Sequence, residues 1–419
     1  MWRVSLHDFK TGQTLDSFDH LDAITIEVGR NQITTANVTG KLHGSAAQVA
    51  LDTPHILVQI AIDDPLFFER PEYWTYGEYV YEFDEVSSEY TSAWVGESWV
   101  EGSAPSPWKT VAVGRIEDFE EIDSSEGVPS FSFNVIGAAE RLGHLIADDE
   151  TGKGRTEDGL TIDTEDRGRI AATLINNAAD QYGMTWVSAL PEHQKGNCGE
   201  LGIEKWGGMK TVLDCISDLA ASSSLAGFDY WFEPCLEYDD FTGALILAKF
   251  HSAGIIGRDM TSRVVFDRGG DINNVKSATM RRVTANYLNR ATHAVSGEPE
   301  YLIIAEAVTQ MSEMGLWEGV VESDVFDKSL REGLTGLHRD VRSQPQQLYE
   351  IVLGRADKAA ITSHAAYLPY IDYAVGDLVR FRLIRDGEVR ADGVVRIWDI
   401  SLKVTPGGID EVTLGLQMN

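Results

Sequence analysis

Hydrophobic and polar positions alternate in short runs at both ends of the chain, and the runs come in the same order. Ala23-Ile24-Thr25-Ile26-Glu27-Val28 alternates with the period of a strand, and Ala36, Val38, Gly40 and Leu42 share one face of the next run. Residues 55–62 (HILVQIAI), 113–119 (VGRIEDF) and 130–137 (SFSFNVIG) then read as an extended strand, a glycine-led strand, a polar turn and a closing strand. Residues 377–384 (DLVRFRLI), 392–400 (DGVVRIWDI) and 410–416 (DEVTLGL) repeat that sequence of elements near the C-terminus. Glycines and polar turns between the runs predict a small closed or half-closed β-barrel at the first end, and the repeat a related one at the second. Residues 137–143 predict a short helical exit from the first.

Between these ends the period changes. Ile170, Leu174, Ile175 and Ala178 recur at helical spacing behind Asp163, Glu165 and Asp166, and a second helix is predicted through Val212, Leu213, Ile216, Leu219 and Ala220. Strands are predicted at 228–232 and 244–248, then at 272–275 and 278–283, with a further helix across Val325, Phe326, Leu330, Leu334, Leu337 and Val341. The expected fold class is therefore β-rich α+β in several domains. These are an N-terminal barrel at 1–147, an α/β domain at 148–250, a second barrel at 251–299 and 351–419, and a small helical domain at 300–350. One insertion breaks the repeat: residues 64–110 interrupt the first barrel, where the second has only Arg385-Asp386-Gly387-Glu388. It is rich in aromatic and acidic residues, among them Trp74, Tyr79, Trp94, Trp99 and Trp108, which are the candidate partner contacts because Trp and Tyr dominate interface hot spots. An insertion confined to one copy is expected to project from the barrel.

Composition narrows the function. At 419 residues the chain exceeds a single core, and its net charge of -31 repels phosphates and anionic lipid. The cysteines Cys198, Cys215 and Cys235 are odd in number and lack CxxC spacing, which argues against a disulfide framework or a zinc ribbon. No signal-peptide core or membrane-spanning run occurs, so synthesis in a reducing cytoplasm is expected.

Candidate chemistry is sparse. The histidines form no metal-ligand motif, no GxSxG elbow or kinase signature occurs, and no cofactor is expected. Gly152-Lys153-Gly154-Arg155-Thr156 lacks phosphate-loop spacing and reads as a turn after Asp148-Asp149-Glu150. Asp84, Glu97 and Glu101 lie near Tyr81, Trp94 and Trp99, a pairing that glycoside hydrolases use, but a projecting loop is a poor platform for tuned acids. The acidic segments 158–166 and 239–240 do not match an EF-hand loop and read as solvated turns.

The order of segments carries a resemblance. A β module opening with WRVSLHDFKTG and closing with VAVGRIEDFEEI and SFSFNVIGAAERL leads into AATLINNAADQYG and KTVLDCISDLAASSSLAGFDYWF. It ends in DYAVGDLVRFRLI and DGVVRIWDISLKVTPGGIDEVTLGL. This resembles the baseplate-hub minor tail proteins of long-tailed, siphovirus-like bacteriophages, particularly those infecting actinobacteria. The resemblance implies a homotrimeric ring of six barrels at the virion tail tip, matching a sixfold tail tube to threefold components. The implied partners are the distal tail protein ring, the tape measure protein, and other minor tail proteins or a central fibre. DNA would pass through the channel without specific binding, and assembly would take place in the host cytoplasm. Some such proteins carry C-terminal extensions; a chain stopping at Asn419 leads us to expect none. The insertion has no place in the common core. Alternatives are a tail-associated cell-wall-degrading enzyme or an adhesin using the aromatic insertion.

Overall fold

The computed structural model describes residues 2–63, 78–84, 89–95, 108–182, 186–189, 203–206, 210–221, 229–283, 290–295, 302–306, 318–323, 346–355 and 366–418, apart from breaks of at most four residues within those ranges. The first module comprises β1 (Trp2–Asp8), β2 (Thr14–Ser17), β3 (Leu21–Gly29), β4 (Thr35–Lys41), α1 (Ser45–Asp52), β5 (Ile56–Asp63), a hairpin of β6 (Glu78–Asp84) and β7 (Glu89–Val95), β8 (Trp108–Ile122) and β9 (Ser130–Gly137). The middle holds β10 (Leu160–Asp163), α2 (Arg167–Tyr182), β11 (Val187–Ser188), β12 (Ile203–Trp206), α3 (Val212–Ala221), β13 (Asp229–Tyr238) and β14 (Leu245–Ala253). The second module comprises β15 (Val265–Arg268), β16 (Val275–Val283), β17 (Arg290–Val295), β18 (Leu302–Glu306), β19 (Glu318–Ser323), β20 (Gln346–Leu353), β21 (Leu378–Arg385), β22 (Glu388–Thr405) and β23 (Gly408–Met418). The protein is mostly strand, with few helices.

The repeat seen in the sequence is a repeat of strand order. Across the sheet the first module runs β3-β4-β9-β8-β5 and the second β16-β20-β23-β22-β21, every neighbouring pair antiparallel. Registers agree residue by residue around the centre of each module, while the outer hairpins shift at different places, between Ile60 and Ala61 in β5 and between Leu383 and Ile384 in β21. Leu57 opposes Arg115 at the end of one ladder, and Leu378 opposes Arg396 at the end of the other. An extra residue then bulges out between Ile116 and Phe119, and between Ile397 and Asp399, after which Phe119 opposes Phe133 and Ile400 opposes Leu414. Arg115-Ile116-Glu117-Asp118 and Arg396-Ile397-Trp398-Asp399 are the sequence trace of that shared bulge. The outer strands differ: β1 joins β5 antiparallel, whereas β15 joins β21 parallel.

Small closed or half-closed barrels are expected from the sequence, and the sheet is open. Neither module closes on itself among the described residues, because the edge of β3 is taken up by β22 of the other module, from Gly29 opposite Asp399 to Ile24 opposite Val404. The long β22 keeps β23 on one edge and divides its other edge, β21 before the bulge and β3 after it. A 13-stranded sheet results, with one apolar core in which Ile24, Ile26 and Val28 pack with Ile400, Leu402 and Val404.

Each module is decorated at a different place. The expected insertion lies at the tip of the β5–β8 hairpin, and its described part, β6–β7, pairs only with itself. The equivalent β21–β22 connection is the tight turn Asp386-Gly387, with φ of 55° and 79°, the left-handed pair that matches strand twist in a two-residue hairpin. In the second module the addition falls between β16 and β20, where β17 pairs β18 antiparallel and β19 parallel. The helical excursion expected over 300–350 differs here: its described residues, 302–306, 318–323 and the start of β20, are strand, and the helix expected across 325–341 lies outside the described residues.

The α/β unit forms where the period changed. Ile170, Leu174, Ile175 and Ala178 of α2 and Val212, Ile216 and Leu219 of α3 are buried with Tyr230, Phe232 and Phe250 against the sheet β11-β14-β13. Thr211 caps α3, its hydroxyl accepting the Asp214 N–H at 3.1 Å. Residues 138–144 form the short exit helix, of the 3-10 type. We expect Leu402→Ala, which removes a fully buried side chain at the β22–β3 joint, to lower stability by about 2–5 kcal/mol in urea titration.

Candidate assembly surfaces

The turn between β3 and β4 fastens three parts of the protein together. Asn31 adopts φ 56°, a left-handed conformation that its short polar side chain tolerates. The preceding Arg30 donates its N–H to the Trp398 carbonyl at 3.0 Å and lays its guanidinium over the Trp398 ring at 4.3 Å. The same guanidinium meets Asp229 at 2.7 Å, where β13 begins, and the Asp229 side chain is buried. Asn31 completes the joint: its Oδ1 accepts the Tyr230 N–H at 2.9 Å, and its carbonyl accepts the Tyr230 hydroxyl at 3.0 Å. Burial pushes the Tyr230 hydroxyl pKa up, so it stays a donor. Nearby, Arg396 donates to the Gly376 carbonyl at 2.5 Å, and burial lowers its pKa against the pull of Asp229 and Asp377.

A second contact seats the α/β unit on the first module. Leu57 and Val113 pack with Leu245 and Leu247, and Phe9 meets Trp186 edge-on at 4.5 Å. Beside this apolar patch, Glu233 accepts from His251 at 3.0 Å and from Lys109 at 3.2 Å. The His251 hydrogen bond, with help from Lys109 and against burial, brings the Glu233 carboxyl down from 4.5 to about 2. At the bulge of β22, Asp399 accepts the Gly415 N–H at 3.2 Å, and burial raises its carboxyl above the usual range. A cleft of about 360 Å³ opens beside it, lined by Thr279, Arg281, Glu350, Trp398 and Gln417 among others.

The candidate contact residues are distributed as follows. Tyr79 and Trp94 are register partners in the β6–β7 hairpin. Trp108 sits at the hairpin's root under the Arg3 guanidinium, 4.6 Å away. Trp74 and Trp99 lie outside the described residues, as do Glu97 and Glu101, while Asp84 ends β6 opposite Glu89. The structure thus brings one candidate pair together and gives Trp108 a local partner. The Arg30–Asn31 turn and Trp398 were not singled out from sequence. Their trace was a Gly-Arg-Asn step at the end of an alternating strand, a turn signal without any hint of its partners.

Cys215 and Cys235 are buried free thiols pushed up to about 12, which keeps them protonated and unreactive. Gly154 donates its N–H to Asp148 Oδ1 at 2.8 Å, so the glycine-rich segment folds onto an aspartate. Among the described residues no group of three or more His, Cys, Asp or Glu is placed to hold a metal ion, and no helix is long and apolar enough to cross a membrane.

Known structures share this architecture over their full lengths. The tail protein from Neisseria meningitidis MC58 aligns with a TM-score of 0.54 at 13% identity, covering 100% of this chain and 97% of that one. The prophage tail protein gp18 from Listeria monocytogenes EGD-e gives 0.52 at 11% identity, covering 100% and 94%. The 43 kDa tail protein of prophage MuSo2 from Shewanella oneidensis gives 0.51 at 12%, covering 99% and 96%. The chain has the fold of these tail proteins. No family model and no curated protein matches it by sequence. At 11–13% identity the likeness is one of fold.

Two outcomes follow from these contacts. Arg30→Ala should cost about 3 kcal/mol, since it removes the guanidinium that lies 2.7 Å from the buried Asp229 carboxylate, with the loss read from denaturant unfolding. Because the Glu233 carboxyl is depressed, its contribution is full above pH 4.5 and lost as pH falls toward 2. With part of its surface wet, we expect about 1–2 kcal/mol from it. Glu233→Gln should therefore lower the melting temperature at pH 7 and match the wild type near pH 2.

Proposed function

We propose that this protein is a structural hub subunit of a phage tail tip, three copies of which form a ring around the DNA channel. The observation that carries the reading is the register-matched repeat: one chain holds two modules of the same strand order, joined into one sheet by β22 and β3. Three such chains supply six similar modules, the arrangement needed to meet a sixfold tube on one side and threefold components on the other. The similar structures from three bacterial sources are all described as tail proteins, which favours the same setting. The domain limits expected from sequence, the neighbouring distal tail protein, tape measure protein and central fibre, and assembly in the host cytoplasm belong to this proposal.

The β6–β7 hairpin stands apart from the large sheet and is the proposed contact for a neighbouring component, with Trp74, Tyr79, Trp94 and Trp99 as its aromatic anchors. The acidic surface fits a channel along which DNA slides without adhering. The role is structural, without catalysis. Sedimentation of the purified chain should give a trimer of its 46.2 kDa mass, and cryo-electron microscopy of particles should place that trimer on the tail axis. A location on the tube wall, or release of cell-wall fragments by the purified protein, would overturn the reading.

A further inference from the structure

The joint within the chain leaves a matching pair of vacant edges at its ends. β3 occupies the half of β22 that lies beyond the bulge. The corresponding half of β8, residues 117–122, has β9 on one edge and no strand on the other among the described residues. The strand that corresponds to β3 in the second module is β16, which ends the sheet and has β20 alone as its ladder partner among the described residues. One chain thus carries an empty slot at one site and an unplaced strand at another.

Burial marks both as unfinished. Following the ladders through Phe133 and Leu414, Ile24 corresponds to Ala278, Ile26 to Met280 and Glu27 to Arg281. Ile26 is 0% exposed, whereas Met280 is 55% exposed. On the slot side, Glu117, Asp118, Glu120, Glu121 and Ile122 are exposed, while Ile400, Leu402 and Val404 of β22 are buried.

Charge selects the occupant. Residues 116–122 read Ile-Glu-Asp-Phe-Glu-Glu-Ile, with four acids and no base. β16 reads Val-Lys-Ser-Ala-Thr-Met-Arg-Arg-Val, with three bases and no acid, in a chain of net charge -31. Lys276 already reaches Glu411 at 3.4 Å, and Arg281 makes no ion pair among the described residues. Unpaired edge strands are commonly protected by charged side chains, which discourage pairing with a like edge. Here the two edges carry opposite signs, and a strand seated as β3 is seated sets Glu120 directly opposite Arg281, with the other acids and bases of the two edges as near neighbours.

We infer that β16 of one copy pairs antiparallel with residues 117–122 of β8 in a second copy, repeating between chains the β22–β3 joint made within each. The inference rests on the ring proposed above and specifies how its subunits meet. Carrying over the β22–β3 register, Glu120 lies opposite Arg281, Glu121 opposite Met280, and Ile122 opposite Thr279. The contact is head-to-tail, so each copy offers its slot to one neighbour and its strand to the other.

The test combines a cross-link with a charge swap in the full chain. A variant carrying both Ile122→Cys and Thr279→Cys should, on oxidation of the assembled protein, give covalent dimers and trimers on a denaturing gel. Each single variant should give neither. Glu120→Arg alone and Arg281→Glu alone should each weaken assembly by about tenfold or more, and the double variant should regain most of the loss. Recovery in the double variant also excludes misfolding as the cause. A stable trimer with no cross-link and no response to the charge swaps would overturn this joint while leaving the ring intact. A chain that sediments as a monomer at every concentration would overturn both.

Discussion

The architecture depends on one strand that serves two partners along a single edge. A straight strand of ordinary length holds one neighbour on each side. β22 spans Glu388–Thr405 and carries a bulge at Trp398, so its edge is shared between β21 and β3. The bulge has local requirements. A Cβ at Gly415 would lie 2.2 Å from the Asp399 carboxylate, so the absence of a side chain there makes room for the aspartate that accepts the glycine N–H. The same bulge in β8 has Asp118 in the place of Asp399. Asp118 is exposed and Asp399 is half-buried, which follows from β3 lying along one strand and no strand lying along the other.

What lies outside the sheet explains why two equivalent modules behave differently. The first module keeps the short β3–β4 turn, and that turn is free to bind Trp398, Asp229 and Tyr230 at once. In the second module the β16–β20 connection holds the β17–β19 sheet in place of that short turn. The reverse holds at the other hairpin, where the second module has the two-residue turn and the first has β6–β7. Insertions in loops disturb a sheet little, because the cost of a longer loop grows only slowly with its length. The sheet's register has therefore survived additions that make its ends different.

Much of this was legible in the chain and some was not, for identifiable reasons. The alternation in residues 23–28 and 130–137, and the helical spacing from Ile170 to Ala178, arise from burial on one face, which a local pattern records directly. The succession of segments at the two ends was legible, whereas the Arg-Ile-x-Asp step within it gains its meaning as a shared bulge only from the ladders. Closure was misread because alternation reveals which face of a strand is buried and nothing about which strand lies at its edge. Pairing of β3 with β22 joins residues far apart in sequence, and no periodicity carries that. The same limit hid the Arg30 site: an arginine in a polar turn looks solvated until Trp398 and Asp229 arrive from distant segments. The expectation of helix over 300–350 rests on apolar spacing across 325–341, while Leu302–Glu306 is a short apolar run and Glu318–Ser323 holds Val320 and Val321 between polar residues, patterns too short to carry a helical period.

Charge and backbone pairing have separate parts in any contact between copies of such a chain. Net charge of -31 makes two copies repel at long range, and salt screens that repulsion beyond roughly 8–10 Å. Attraction must then be short-ranged and local. Backbone hydrogen bonds between strand edges meet that need, but they are blind to sequence and accept any register. Side chains of opposite sign along the two edges supply what the backbone lacks, because a one-residue slip turns every side chain to the other face and sets charge against apolar surface. In an acidic chain, a basic edge strand is therefore more informative than the acidity around it. The acidity keeps copies apart wherever they are not meant to touch, and the few bases on β16 mark where the repulsion is relieved.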